Sequence, residues 1–174
     1  HVLRLRLSGA APCRGEQDVP AGASPGGQQP HVGVAYRVIE ETAESIVVAT
    51  ERLRATIRRR PCRLGIFTAD GTPLLLETEP LEWLVGEDGR PVRVRQAFAS
   101  PPGEAFYGFG ERYNALDQRG NELDVQVFDQ YRNQGHRTYL PVPFFLSSQG
   151  YGLFLATSRH VAYDLAASRP GRWS

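Results

Sequence analysis

Apolar and polar residues alternate in many short segments of the chain, and such alternation predicts β-strands with one buried face. Residues 53–58 are the clearest example, since Leu53, Ala55 and Ile57 stand between polar side chains. The predicted strands span residues 1–7, 33–39, 45–49, 53–58, 63–68, 73–77, 82–85, 91–97, 125–128, 139–146, 151–157 and 161–165. Helical periodicity never exceeds two turns, although residues 114–119 could form one short helix. The pattern therefore predicts an all-β, mostly antiparallel fold, either a sandwich or a barrel.

Prolines and arginines refine the positions of two of these strands. Pro141 and Pro143 predict a strand start or an edge, because proline cannot donate a hydrogen bond to a neighbouring strand. The run Arg58, Arg59 and Arg60 resembles a basic patch, but its place at the end of an alternating strand favours a solvated face and protection of an edge strand.

The length of 174 residues fits one domain with a substantial core, and 18 Gly and 13 Pro suit frequent turns. A net charge of +1 gives no electrostatic reason to expect nucleic acid or an anionic membrane as a partner. No apolar run approaches the roughly 20 residues of a membrane-spanning helix. We therefore expect one domain over residues 1–174, with neither nucleic acid nor a membrane as partner.

The cysteines and the first residues bear on compartment. Cys13 and Cys62 lack a C-x-x-C spacing, which argues against a zinc or redox site and leaves one disulfide or two free thiols as the alternatives.

Residues 8–30 are rich in Gly, Ala, Pro and Gln and predict a long loop. Residues 1–7 alternate like a strand, are no signal peptide and lack a starting methionine. We expect a piece of a longer protein, located in a bacterial cytoplasm.

The most unusual segment is the aromatic and glycine-rich run at residues 106–112, which is followed by a second charged cluster at 116–120. A glycine inside an aromatic strand marks a bulge or a close approach of another backbone or a ligand. Buried charges occur mainly in pairs, so the charged residues are expected to form ion-paired, hydrogen-bonded support for the turns around them. The candidate structural residues are Gly108, Gly110, Glu111, Arg112, Asp117 and Arg119.

These two runs resemble the F-Y-G-x-G-E-R…L-x-x-R-G signature in the N-terminal domain of glycoside hydrolase family 31. The resemblance continues through residues 143–146 and 150–154 and covers residues 33–165. It implies an antiparallel β-sandwich of the galactose mutarotase-like supersandwich type, followed in the parent protein by a catalytic (β/α)8 barrel. Family members include α-glucosidases and α-xylosidases that act on α-linked sugars with retention of configuration.

The same resemblance implies that the chemistry lies outside this chain. Retaining cleavage uses two carboxyl groups about 5 Å apart, and in this family both belong to the barrel. We therefore expect no catalytic residue, no cofactor and no metal site in this chain. A hydrolase built on Glu111, Asp117, Asp124 or Asp129 is the less favoured alternative.

The polar loop at residues 129–137 is the candidate substrate-contacting segment. In relatives, the resemblance implies, this loop reaches the rim of the barrel's pocket and often carries a W-N-x-D pattern, which residues 128–131 match imperfectly. Tyr131 offers a stacking face, and its neighbours offer hydrogen-bonding groups. The candidate substrate-binding residues are Asp129, Gln130, Tyr131 and Arg132. A solvated surface loop that merely packs on the barrel is the alternative.

Three functions follow from these observations. The first is a non-catalytic domain that packs on the barrel of its own parent chain and lends a loop to the pocket for an α-linked oligosaccharide. The second is a free-standing carbohydrate-binding module, for which Trp83 and Trp173 would be sugar platforms, although an isolated tryptophan more often serves packing. The third is a sugar epimerase, for which His31, His136 and His160 give no recognisable arrangement with a carboxylate.

Overall fold

The computed structural model describes residues 2–5, 35–157 and 159–174. The predicted loop at 8–30, Cys13 and His31 lie outside these residues. The strands are β1 (Val2–Leu5), β2 (Arg37–Glu41), β3 (Ser45–Ala49), β4 (Leu53–Arg59), β5 (Cys62–Thr68), β6 (Pro73–Leu76), β7 (Glu82–Val85), β8 (Pro91–Arg95), β9 (Phe98–Ala99), β10 (Phe106–Gly110), β11 (Glu122–Val125), β12 (Pro141–Ser147), β13 (Tyr151–Leu155), β14 (Val161–Asp164) and β15 (Arg172–Trp173). The described residues contain no helix, and residues 114–119 form turns, so the predicted short helix was wrong.

The strands form two larger sheets and three strand pairs. One sheet has the order β1-β13-β12-β10, and the other has the order β2-β3-β4-β5-β6. The pairs are β7–β8, β9–β15 and β11–β14. Every pairing between these strands is antiparallel except β1–β13, which is parallel. The fold is therefore all-β with antiparallel sheets, as the alternation predicts.

The core lies between the four-stranded sheet and the pairs β11–β14 and β9–β15. Buried side chains of β10, β12 and β13 point into it, where their aromatic rings pack edge to face and in stacks. Trp173 stacks on Phe98 with ring centroids 4.6 Å apart and meets Phe145 edge to face at 5.3 Å. The packing interpretation of Trp173 is therefore confirmed. The buried residues of the core are Leu75, Phe98, Phe106, Phe109, Leu123, Val125, Phe145, Tyr151, Leu153, Tyr163, Leu165 and Trp173.

The order of the strands tests the interpretations of the prolines and of the arginines. β12 is central in its sheet, but Pro141 and Pro143 stand at its start, before pairing with β13 begins at Phe144. The strand-start prediction is thus confirmed. Arg58, Arg59 and Arg60 are exposed as expected, yet β4 lies between β3 and β5, so edge protection was the wrong reason for them.

The outer face of the four-stranded sheet is also apolar. Tyr107 of β10 lies opposite Leu146 of β12, and both side chains are exposed. Val142, four residues before Leu146 on the same strand, is exposed on the same face, and Phe144 between them is half-buried. A sheet with apolar side chains on both faces is normally covered on both.

Candidate functional site

The glycine-aromatic run forms a bulge at the end of β10. Gly108, Phe109 and Gly110 have φ values of 121°, 65° and 88°, and the register with β12 jumps from Gly108↔Phe145 to Gly110↔Pro141. A Cβ on Gly110 would lie 2.0 Å from the Leu140 carbonyl oxygen, so only glycine fits there. The predicted bulge and close backbone approach are both confirmed.

Arg112 follows this bulge and binds three main-chain carbonyls from three segments. Its Nε donates to Phe109 O at 3.1 Å, Nη1 to His136 O at 2.6 Å and Nη2 to Asp124 O at 3.1 Å. Burial lowers the pKa of the Arg112 guanidinium, and the nearby charge of Asp124 partly offsets that effect. The side chain thus ties the bulge, the strand β11 and the 129–137 loop together.

Asp117 and Arg119 support the preceding turn through main-chain contacts. Asp117 Oδ1 accepts hydrogen bonds from the amides of Phe106 at 3.0 Å and Arg119 at 2.9 Å. Arg119 Nη1 donates to Ser100 Oγ at 2.7 Å and to the Glu104 carbonyl at 3.0 Å. The hydrogen-bonded support that the sequence predicts is therefore confirmed for both side chains.

Glu111 binds a side-chain group and not the main chain. It accepts a hydrogen bond from the Tyr113 hydroxyl at 2.9 Å, which raises the pKa of that phenol. No salt bridge joins Glu111, Arg112, Asp117 and Arg119, all four of which are described, so the expected ion pairing was wrong. Main-chain groups bind the charges of Arg112, Asp117 and Arg119 instead, because the tight turns bring backbone groups closer than opposite charges.

The 129–137 loop is closed at its base and exposed at its tip. The Phe128 amide donates to Thr138 O at 2.9 Å, and the Arg137 guanidinium lies 4.7 Å from the centre of the Phe128 ring. At the tip, Tyr131 is 93% exposed, with the Arg132 guanidinium 5.6 Å from its ring centre. The structure thus brings aromatic and cationic groups together on one projecting surface.

The four predicted substrate-binding residues of the loop are not equally free to contact a ligand. Gln130 Nε2 donates to the carbonyls of Arg132 at 2.7 Å and Asn133 at 3.3 Å, which makes it part of the loop's own scaffold. Asp129 is exposed beside it. Asp129, Tyr131 and Arg132 therefore present their side chains to solvent, whereas the amide nitrogen of Gln130 is engaged within the loop.

A shallow groove of about 490 Å³ opens next to the base of the loop. His160 lines it, and His160 Nε2 lies 3.0 Å from Asp124 Oδ1. This pair was missed, because it depends on the antiparallel register that sets Asp124 opposite Ala162, two residues after His160. The groove is lined by Val125, Gln126, Val127, Pro141, Pro143, Thr157, Arg159 and His160.

The described residues show neither a metal centre nor a membrane-spanning helix. Among the described residues, no group of three or more His, Cys, Asp and Glu side chains is arranged to hold a metal ion. Within the same residues, no helix has the length and apolar character to cross a membrane.

Comparison with protein families gives a match over most of the chain. The model of the "Glycosyl hydrolase 31 N-terminal galactose mutarotase-like domain" matches residues 1–164. That range contains the bulge, Arg112, the 129–137 loop and the groove.

Comparison with individual proteins gives enzyme relatives. The isomaltosyltransferase of Sporosarcina globispora is 34% identical over 82% of this chain, and the 1,3-alpha-isomaltosidase of Kribbella flavida is 42% identical over 60% of it. The solved cycloalternan-forming enzyme of Listeria monocytogenes, in complex with a pentasaccharide substrate, has a TM-score of 0.72 and 39% identity over 79% of this chain. The matches cover 14%, 16% and 13% of those three proteins, respectively. The chain thus spans about a seventh of the length of these relatives.

Proposed function

Because the chain belongs to the N-terminal galactose mutarotase-like domains of glycoside hydrolase family 31, we propose that it is the non-catalytic N-terminal domain of a retaining α-glycosidase. In this proposal residues 1–174 form one β-sandwich that packs on the catalytic (β/α)8 barrel of the same parent chain. The 129–137 loop then contributes to the barrel's pocket for an α-linked oligosaccharide.

The apolar outer face of the four-stranded sheet is the observation that supports packing on the barrel. Leu146 of the inner strand β12 is 48% exposed, and its cross-strand neighbour Tyr107 on the edge strand β10 is 37% exposed. Exposed apolar side chains that cluster in this way favour an interface with another folded body. In this proposal that folded body is the catalytic barrel of the parent chain.

The projecting tip of the 129–137 loop supports a contribution to the pocket. Sugar rings pack on the faces of aromatic side chains, and sugar hydroxyls donate hydrogen bonds to carboxylates and accept them from guanidinium groups. Tyr131 provides such a face, while Asp129 and Arg132 provide charged hydrogen-bonding groups beside it. Gln130 contributes indirectly, because its amide holds the loop backbone.

Steady-state kinetics of the intact parent protein on an aryl α-glucoside and on an isomaltose-containing oligosaccharide test the proposal. We expect Tyr131→Ala to lower kcat/KM for the oligosaccharide by about 3- to 10-fold, which corresponds to one lost aromatic contact. Tyr36→Ala, which removes another exposed tyrosine next to the five-stranded sheet, is the matched control. Equal kinetics for the two variants would refute the loop's contribution, and no activity on any aryl α-glycoside would refute the glycosidase itself.

The thiol of Cys62 supports the bacterial cytoplasm as the location. Cys62 is exposed and has no disulfide partner among the described residues, and such a thiol persists in a reducing compartment. Recovery of the parent protein from the medium or the periplasm in cell fractionation would contradict this part of the proposal.

A further inference from the structure

We infer that Arg112 is a positioning residue that holds the 129–137 loop in its substrate-contacting conformation, an inference that rests on the proposed function. The three hydrogen bonds of its guanidinium join segments that are far apart in sequence. One acceptor is in the bulge, one is at the end of β11, and His136 O is in the loop itself.

The loop has few other connections to the sandwich. Within the described residues, Arg112 is the side chain from outside residues 129–137 that hydrogen-bonds to them. The remaining side-chain hydrogen bonds of the loop are internal, such as Gln134 Nε2 to Gln130 O at 2.6 Å. A loop with many exposed groups and few contacts to a core opens readily, so the bond at His136 O has a large share in its order.

The bulge determines where the guanidinium lies. Gly108, Phe109 and Gly110 turn the chain through consecutive positive φ values, and the buried Phe109 ring stacks on Phe145 with centroids 5.0 Å apart. The residues directly after the bulge are thereby fixed relative to the core. Arg112 is thus directed toward the loop by a rigid element, which is the condition for precise positioning.

A guanidinium is required because three acceptors lie in different directions. The planar fork of arginine places Nε, Nη1 and Nη2 at fixed angles, whereas lysine has one nitrogen at the end of a flexible chain. Lysine at position 112 keeps the charge but cannot reach the carbonyls of Phe109, Asp124 and His136 together. Arg112→Lys therefore separates the geometry of the side chain from its charge.

The functional consequence is a change in binding and not in chemistry. In the proposed enzyme the catalytic carboxylates belong to the barrel, whereas the hydrogen bonds of Arg112 join segments of the sandwich. A loosened loop therefore weakens ground-state and transition-state binding alike, which raises KM and leaves kcat unchanged. A purely structural role would instead lower the amount of active enzyme and reduce the apparent kcat.

The test uses the intact parent protein with Arg112→Lys, Arg112→Ala and the control Arg54→Lys, which changes an exposed arginine of β4. We expect hydrogen exchange of residues 129–137 to become at least about tenfold faster in both Arg112 variants, with β3 to β5 unchanged. KM for the oligosaccharide should rise with kcat preserved. Methylguanidinium should restore both the protection and the KM of Arg112→Ala.

Each other outcome is decisive. Unchanged exchange in the loop overturns the inference, whatever the kinetics. If exchange is faster only in the loop and the kinetics are unchanged, Arg112 holds the loop but the loop has no part in substrate binding. That result refutes both this part of the proposed function and the positioning role of Arg112. Faster exchange throughout the chain in both variants, without rescue by methylguanidinium, also overturns the inference, because Arg112 would then hold the whole sandwich.

Discussion

Tyr151 donates its hydroxyl hydrogen to Glu104 Oε1 over 2.8 Å in the middle of the apolar core. Trp173 Nε1 in turn donates to the Tyr151 oxygen at 3.1 Å, and Ser147 Oγ donates to the same carboxylate oxygen. Burial, followed by the charge of Glu104, raises the pKa of Tyr151 far above its ordinary value, so the phenol remains a donor. The core thus contains a polar chain that links β13, β12 and β15.

We expect Tyr151→Phe to destabilise the sandwich by about 1–3 kcal/mol, because it leaves the buried Trp173 Nε1 without a partner and removes one of the two hydrogen bonds to Glu104 Oε1. Tyr163→Phe is the matched control, since the buried Tyr163 hydroxyl has no hydrogen-bond partner among the described residues. Its removal should be neutral or slightly stabilising. Urea-dependent hydrogen exchange in β10 and β13 of the intact protein measures both effects, and equal losses in the two variants would contradict the prediction.

The close approach at Gly110 predicts a large effect of one methyl group. Gly110→Ala places its Cβ 2.0 Å from Leu140 O at a φ of 88°, so β12 must move away from the bulge. We expect a loss of more than about 3 kcal/mol or failure to fold, since strain and a backbone clash combine. Gly120→Ala has nearly the same φ, 82°, but open space around the Cβ, so it should cost only about 1 kcal/mol. Thermal unfolding compares the two, and similar losses would show that strain rather than contact dominates.

Asp164 should contribute to stability above pH 4 and lose that contribution in acid. Its burial alone would raise the carboxyl pKa, but hydrogen bonds from Ser168 and the Ala167 amide, together with the Arg172 charge, lower the pKa below the ordinary value. A lowered folded-state pKa means that stability is present above the unfolded-state pKa of about 3.9 and is lost as the pH falls through the folded-state value.

We therefore expect Asp164→Asn to be less stable than the unmodified protein at pH 7 and to lose less stability between about pH 5 and pH 2. Urea unfolding over this pH range is the measurement. The exposed Glu122→Gln controls for the removal of one negative charge. Parallel acid limbs for Asp164→Asn and the unmodified protein would show that other carboxyl groups determine the acid response.

Local pattern was sufficient for several strands, including two in which apolar residues follow one another directly. The predicted ranges 45–49 and 82–85 coincide with β3 and β7. The range 125–128 was displaced, because the buried residues of β11 (Glu122–Val125), Leu123 and Val125, alternate with acidic residues, and the apolar Val127 beyond them is exposed. β9 and β15, with two residues each, are too short to show any period.

The site was less accessible to sequence reasoning because it depends on contacts between distant segments. The bulge follows from Gly108 and Gly110, which is a local signal, and the prediction was correct. Arg112 was expected to pair with a neighbouring charge, whereas it reaches His136 across 24 positions of sequence. That contact depends on how β10, β11 and β12 are arranged in space, and the alternation of apolar and polar residues does not specify this arrangement.

The exposed outer face of the four-stranded sheet leads to a prediction about the chain without its parent protein. If this face packs on the barrel, the isolated chain of 174 residues should self-associate through it, because an apolar surface that loses its partner meets another copy. Light scattering over a range of concentrations should show a rising mass. Leu146→Glu should reduce that mass, whereas Leu116→Glu, at a turn residue that is 83% exposed, should leave it unchanged. A monodisperse monomer at high concentration would instead show that this face needs no cover, and the barrel would then have to pack elsewhere.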